Sequence, residues 1–161
     1  MKAKIAPHRE RMTMDLLGAS PFLHPAQIVG LAAAALLGAA IGLERQLRGH
    51  PAGLHTNALV ALGSAAFVVA GTLAGDPTGP ARVAGQVVTG IGFLCAGVII
   101  HQGATIRGIN TAATVWCACS VGVLAGLGLA LWAIFVAVLV VLANVLLHYC
   151  EHRIADSQKE P

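Results

Sequence analysis

Long apolar runs separated by short polar segments make up the chain between residues 26 and 150. One stretch between Arg107 and Glu151 contains no Lys, Arg, Asp or Glu. It is about twice as long as the roughly 20 residues that one membrane-spanning helix needs, so it predicts two spans with a break near Gly126. Together with the earlier runs, the pattern predicts five spans, over residues 26–43, 58–74, 83–100, 111–125 and 128–147.

The composition agrees with a membrane protein. Only 11% of the 161 residues are charged, against about a quarter in soluble domains. The fold class is therefore all-α: a polytopic transmembrane helical bundle of about five spans in the lipid bilayer. We expect a leader over residues 1–25, a transmembrane domain over 26–150 and a short polar tail over 151–161. The basic residues lie at span ends and form no stripe on one face, which argues against a nucleic-acid partner.

The sequence offers little to catalysis or to metal binding. It has no Gly-x-Ser-x-Gly, no His-Glu-x-x-His and no paired carboxylates, so we predict no enzyme, no catalytic residues, no metal and no cofactor. Cys117 and Cys119 would point to nearly opposite sides of a helix. All four cysteines lie in or beside apolar runs, where cysteine packs as a small hydrophobic residue, and no disulfide is expected.

Small residues recur at helical spacing in spans one and three. In lipid, such positions let helices approach closely, because the bilayer offers no hydrophobic drive to pack them. The predicted helix-packing positions are Gly38, Gly42, Gly85, Gly92 and Gly97. Gln86 and Thr89 make the face of span three unusually polar, so a wet cavity beside it is the alternative interpretation.

The polar loop after span one begins with Glu44, Arg45 and Gln46. Glu44 precedes Arg48 by four residues, the favourable order for a helical ion pair. Two interpretations remain open: a solvated loop anchored by this pair, or Glu44 and Arg45 turned into a polar crevice, where ionisable groups are functional candidates. The following span is expected to be capped by Thr56 or Asn57.

The loop before span four, residues 101–111, carries Arg107. Asn110 is expected to cap this span, whose first residues include Thr111 and Thr114. A helix N-terminus beside an arginine is typical of an anion or carboxylate site, and Glu44 is a candidate for that carboxylate in an internal salt bridge. Span five, by contrast, is predicted to be a lipid-facing helix with Asn144 as its only polar residue.

Residues 53–60, GLHTNALV, resemble residues 108–115, GINTAATV. Each segment follows a glycine-bearing span and a basic loop, and each opens the next span. We infer a weak repeat of one hairpin, in spans one–two and three–four, with both loops on one side of the membrane. This is a parallel repeat and not an inverted one. Arg45, Arg48 and Arg107 are then expected on one face.

The distribution of Lys and Arg does not fix the orientation if translation starts at Met1, because each side carries five. A start at Met12 or Met14 would leave one against five. The hairpin loops and the C-terminus would then be cytoplasmic and the N-terminus periplasmic. No secretory signal is evident, since Asp15 and Pro21 interrupt the only candidate apolar region.

Two segments carry a family resemblance: GLERQLRGHPAGLHTNALVALGSA and VVTGIGFLCAGVIIHQGATIRGINTAATVWCACSVGVLAGLG. They look like the membrane domain of the MgtC/SapB family over residues 38–130. The resemblance implies a bacterial inner-membrane protein with a cytoplasmic C-terminus, linked to growth in low magnesium and, in pathogens, to survival inside macrophages. Family members are thought to act as regulators, including inhibition of the proton-driven ATP synthase, and not as magnesium carriers. The chain looks like a short form without the soluble C-terminal domain of longer members, so a virulence role does not follow.

The resemblance carries over a set of functional positions. These are Glu44, Arg45, Gln46, Gly49, Gly53, Gly92, Gly97, Arg107, Gly108, Thr111 and Thr114.

Two functions remain in competition. The first is a regulator that binds another membrane protein, or a second copy of itself, through small-residue faces. The alternative is a small cation or proton transporter or channel, for which Glu44 would be the acidic group. Against the alternative, hydrated Mg²⁺ usually takes one or two carboxylates, and Glu44 is the one carboxylate near an apolar run on that side.

Overall fold

The computed structural model describes residues 24–102 and 105–157. Within these ranges, five helices are long and apolar enough to cross a membrane, which confirms the predicted helical bundle. They are α1 (Pro25–Leu47), α2 (Leu54–Leu73), α3 (Gly79–Val98), α4 (Ile109–Gly126) and α5 (Ala130–Ser157). The predicted leader and the last four residues of the tail lie almost wholly outside the described residues.

The helices extend beyond the apolar runs that predicted them. The first helix continues through Glu44 and Arg45 to Leu47, and α2 begins at Leu54 instead of residue 58. Backbone hydrogen bonds do not depend on apolar side chains, so a helix can continue where hydrophobicity stops. As a result, Glu44 and Arg45 lie on the last turn of α1, and Arg48 follows directly as its C-terminal cap.

A short antiparallel hairpin joins α3 to α4, where the sequence predicted only a polar loop. Its strands are β1 (Ile100–Gln102) and β2 (Thr105–Arg107), with Ile100 opposite Arg107. The pairing gives backbone groups at the end of the bundle hydrogen-bond partners. Gly108 then enters α4 at φ 92°, and a Cβ at this position would collide with the carbonyl oxygen of Val98. Glycine is therefore required at this turn.

Small residues dominate the core between α1, α2, α4 and α5. The fully buried members include Ala34, Ala61, Ala65, Ala118 and Ala133. Where α1 crosses α2, a Cβ on Gly38 would lie 2.5 Å from the carbonyl oxygen of Asn57. The helices are thus held by close backbone approach, as expected for packing within a bilayer.

The two predicted hairpins have the same register. The first helix after each loop begins at Leu54 in one hairpin and at Ile109 in the other, and a glycine precedes each. The same offset of 55 residues separates Ser64 from Cys119, and the Ser64 hydroxyl donates a hydrogen bond to the Cys119 Sγ at 3.2 Å. Equivalent positions of α2 and α4 are therefore in direct contact.

The fifth helix is more than a lipid-facing span. Ala133 and Ala137 are buried in the core, although most of the large apolar side chains of α5 are exposed. The prediction of a lipid-facing helix holds for most of its surface, but Asn144, the polar residue of the predicted span, faces the bundle.

Candidate functional site

Arg45 is a charged residue in the last turn of α1, yet it lies inside the bundle. Only 4% of its surface is exposed. Its Nη2 donates a hydrogen bond of 2.7 Å to the hydroxyl of Thr111, which is also buried. The last turn of α1 therefore meets the first turn of α4, and the two loops lie at the same end of the bundle, as the parallel repeat requires.

Glu44 is held by two partners. Its Oε1 lies 2.6 Å from Nε of Arg48, so the ion pair predicted from the spacing is present. Although the distance is short, this Oε1 receives no aligned hydrogen bond from any described residue. The other oxygen, Oε2, accepts a hydrogen bond of 3.3 Å from Nδ2 of Asn144 on α5. The carboxylate thus ties α1 to α5.

Arg107 does not join this group. It is exposed on β2, and the ion pairs among the described residues are Glu44–Arg48 and Asp76–Arg82. The expected salt bridge between Glu44 and Arg107 is therefore not formed. Glu44 pairs instead with Arg48, which is one helical turn away.

The loop between α1 and α2 is fixed by two amide side chains. Gln46 Oε1 accepts a hydrogen bond of 3.2 Å from the backbone N–H of Leu54 and so satisfies the first turn of α2. Asn57, which is fully buried, donates to the carbonyl oxygens of Ala52 at 2.7 Å and Gly53 at 2.9 Å. The expectation that Asn57 or its neighbour Thr56 caps α2 was wrong, because the helix begins before them.

The start of α4 also differs from the prediction. Asn110 is the second residue of the helix and not its cap, and no side chain caps this N-terminus. The cap position belongs to Gly108. Thr114 is buried and donates a hydrogen bond of 2.9 Å to the carbonyl oxygen of Asn110. The first N–H groups of α4 are therefore available to a ligand or to water.

A cavity of about 280 Å³ lies among these elements, and we call it the polar cavity. It is lined by Arg45, His50, Asn110, Asn144, Leu147, His148 and Cys150. The rings of His50 and His148 are 6.0 Å apart and nearly perpendicular. Burial lowers the pKa of His50, and the charges of Arg45 and His148 lower it further. The imidazole of His50 is therefore predominantly neutral at pH 7.

Sequence reasoning did not select His50, Asn144 or His148 as site residues. Asn144 carried a usable signal, because a single amide in an apolar span normally faces the bundle interior. The two histidines, near the ends of different elements, carried none. Within the described ranges, no three His, Cys, Asp or Glu side chains are grouped closely enough to hold a metal ion.

The predicted packing glycines fall into two groups. Gly38 and Gly42 lie against backbone atoms of α2 and its preceding loop, with no room for a side chain. Gly85, Gly92 and Gly97 on α3 face open space, since a Cβ there would have no neighbour within 4 Å. Among the residues that the structure describes, then, the first group packs against another helix and the second group does not.

Comparison with known proteins gives consistent matches. The sequence profile of the MgtC family matches residues 31–153. Protein MgtC of Salmonella typhimurium is 50% identical over 127 residues, which are 79% of this chain and 54% of that protein. Protein MgtC of Brucella abortus is 51% identical over 127 residues, which are 79% of this chain and 52% of that protein. The chain spans about half the length of these curated relatives, and no solved structure matches it.

Proposed function

This chain belongs to the MgtC family, and from that premise we propose that it is a membrane regulator, without enzymatic activity, that acts by binding another membrane protein. Its place is the bacterial inner membrane, with the hairpin loops cytoplasmic and the N-terminus periplasmic. Its role is linked to growth in low magnesium, and its partner is a membrane complex such as the proton-driven ATP synthase.

The observation that carries this proposal is the exposure of α3. Only 6% of its most apolar stretch is buried inside the chain, against 50% for α4. On α3, Ile91 is buried against Val115 and Cys119 of α4, whereas most other positions of the helix are exposed. A helix so weakly engaged by its own chain has most of its surface available to lipid or to a partner.

The residues on that surface suit a partner better than lipid. Gly85, Thr89, Gly92 and Ala96 fall on one exposed face, which we call the α3 face. Glycine in a helix costs about 1 kcal/mol relative to alanine, and no residue that the structure describes approaches Gly85 or Gly92 closely enough to require its small size. Close packing of a second helix against these positions would explain why the residues there are small.

Gln86 supports the same conclusion. It is exposed beside an apolar groove of about 510 Å³ between α2 and α3, and it makes no hydrogen bond to any residue that the structure describes. It lies about 10 Å along the helix axis from Gly79. A primary amide at that depth needs a partner, because lipid offers none. A polar group on an approaching helix would satisfy it.

Site-specific photo-cross-linking tests this proposal. A benzophenone side chain at Gln86 should form an adduct of defined mass with a membrane protein in cells grown in low magnesium. The matched control is Leu139 on α5, an exposed apolar position that should cross-link only to lipid. An adduct with a second copy of the chain would show a homo-oligomer instead. Equal, lipid-only labelling at both positions would refute the α3 face as a docking surface.

The alternative function is a small cation or proton transporter. The observation in its favour is Glu44, a mostly buried carboxylate with one oxygen that receives no hydrogen bond from the described residues. Against it, the charge of Glu44 is already matched by Arg48. Flux of Mg²⁺, K⁺ and H⁺, each measured separately in proteoliposomes, distinguishes the transporter from the regulator. Flux that Glu44→Ala abolishes would establish a transporter, whereas folded protein without flux leaves the regulator.

A further inference from the structure

The polar cavity collects donors from four parts of the chain. Arg45 comes from the end of α1, His50 from the loop after it, Asn110 from the start of α4, and Asn144 from α5. Its volume of about 280 Å³ is several times the ~30 Å³ that one water molecule takes. The cavity therefore has room for a polyatomic group together with water.

Arg45 is the principal donor in its wall. A guanidinium carries five N–H groups, and the described residues provide one acceptor, the Thr111 hydroxyl. Its Nε is fully buried and has no hydrogen-bond partner within the described part of the chain. That atom is closed off from the cavity, so the guanidinium reaches the cavity through its other N–H groups, one of which is bonded to Thr111.

The N-terminus of α4 adds donors at the same place. No side chain caps it, no acidic residue lies in its first turn, and Asn110 of that turn lines the cavity. The free N–H groups and the helix dipole favour an anion. The N-terminus of α4 and the guanidinium of Arg45 in the cavity wall are independent features that favour the same ligand charge.

The local charges agree. Arg45 and Arg48 face one carboxylate, Glu44, which is already engaged by Arg48 and by Asn144. Arg45 itself forms no ion pair with any residue whose side chain the structure describes. Arg45 also contributes to the lowered pKa of His50, as a positive potential at the cavity would.

We propose that the polar cavity is a binding site for a phosphate group, held by the guanidinium of Arg45 and the N-terminus of α4. An arginine fork matches phosphate oxygens through paired hydrogen bonds. The group is either free inorganic phosphate or the headgroup of an anionic phospholipid, because basic pockets between membrane helices recognise such headgroups. This proposal does not depend on the α3 face.

Binding to the purified full chain tests it. In zwitterionic detergent, inorganic phosphate is titrated by calorimetry. In nanodiscs of phosphatidylcholine with or without phosphatidylglycerol, retained lipid is measured by native mass spectrometry. Binding of inorganic phosphate identifies a free-phosphate site, and selective retention of phosphatidylglycerol identifies a headgroup site.

Two variants and one control make the result specific. Arg45→Lys keeps the charge but loses the fork, and Asn110→Asp places a negative charge at an exposed position of the cavity rim. Each should weaken binding at least tenfold, while Arg82→Lys, at the α2–α3 end, should change it less than twofold. Since Asn110 is exposed, its variant should fold even if Arg45→Lys does not, as circular dichroism would show. Absence of binding by both probes, or equal binding by wild type and Asn110→Asp, would overturn the proposal.

Discussion

The guanidinium of Arg45 donates a hydrogen bond of 2.7 Å to the hydroxyl of Thr111, 66 residues further along the chain. Arg45 belongs to the first hairpin and Thr111 to the second, so this buried bond joins the two repeats at their loop end. It also sets the position of the guanidinium in the wall of the polar cavity.

Thr111→Val should destabilise the protein by about 1–3 kcal/mol, because it leaves a buried charged donor without its acceptor while keeping the side-chain shape. The measurement is unfolding in mixed micelles followed by circular dichroism. Thr111→Ser retains the hydroxyl and should remain within about 0.5 kcal/mol of the wild type. If serine and valine destabilise the protein equally, the hydrogen bond contributes nothing and methyl packing explains the loss.

Gly42→Ala should destabilise the protein by about 1–3 kcal/mol, since overpacking forces the backbone to move. A Cβ at Gly42 would lie 2.5 Å from the carbonyl oxygen of Gly53 and 2.6 Å from the Cα of Leu54. The matched control is Gly63→Ala within α2, where a Cβ meets nothing within 4 Å and the change should stabilise by up to about 1 kcal/mol. The same unfolding assay reports both, and a neutral Gly42→Ala would contradict the close approach of α1 to α2.

The hydrogen bond between Glu44 and Asn144 should show a measurable coupling energy. A double-mutant cycle with Glu44→Ala and Asn144→Ala should give a coupling energy of about 0.6 kcal/mol, the average for hydrogen bonds between membrane helices. The upper limit for such bonds is about 2 kcal/mol. Glu44→Ala combined with Arg82→Ala, at opposite ends of the bundle, should be additive. Zero coupling for the first pair would show that α5 is not held by Glu44.

Stability should fall when His50 is protonated. Its pKa in the folded state lies below its ordinary value, mainly through burial and secondarily through Arg45 and His148, while Glu44 acts in the opposite direction. The unfolded state then binds more protons between the two pKa values, so stability is lost as the pH falls from about 6.5 toward the folded pKa. Unfolding midpoints between pH 7.5 and pH 5 measure this loss, and His50→Gln should reduce it. An unchanged pH profile in that variant would assign the effect to other groups.

Local patterns in the sequence predicted the features that depend on nearby residues. Apolar runs gave five spans, and the four-residue spacing of Glu44 and Arg48 gave their ion pair. The contacts of Glu44 with Asn144 and of Arg45 with Thr111 did not follow from spacing. They depend on how far α1 is rotated about its axis, and close contacts such as that at Gly38 set this rotation only after the helices have packed.

The glycines also show what residue spacing in the sequence cannot predict. Small residues recur at helical spacing on both α1 and α3, yet Gly38 packs against α2, whereas a Cβ on Gly92 would have no described neighbour within 4 Å. Spacing predicts that a face can accept a close neighbour, but it does not identify the neighbour.

The contact between Ser64 and Cys119 has a consequence for the symmetry of the fold. Equivalent atoms of two repeats can touch only beside the axis that relates them, so an approximate two-fold axis passes between α2 and α4, parallel to the membrane normal. A symmetric homodimer of one such hairpin would make this same contact. The two hairpins differ in what they bury: the first places Glu44 and Arg45 inside the bundle, whereas the second leaves most of α3 exposed.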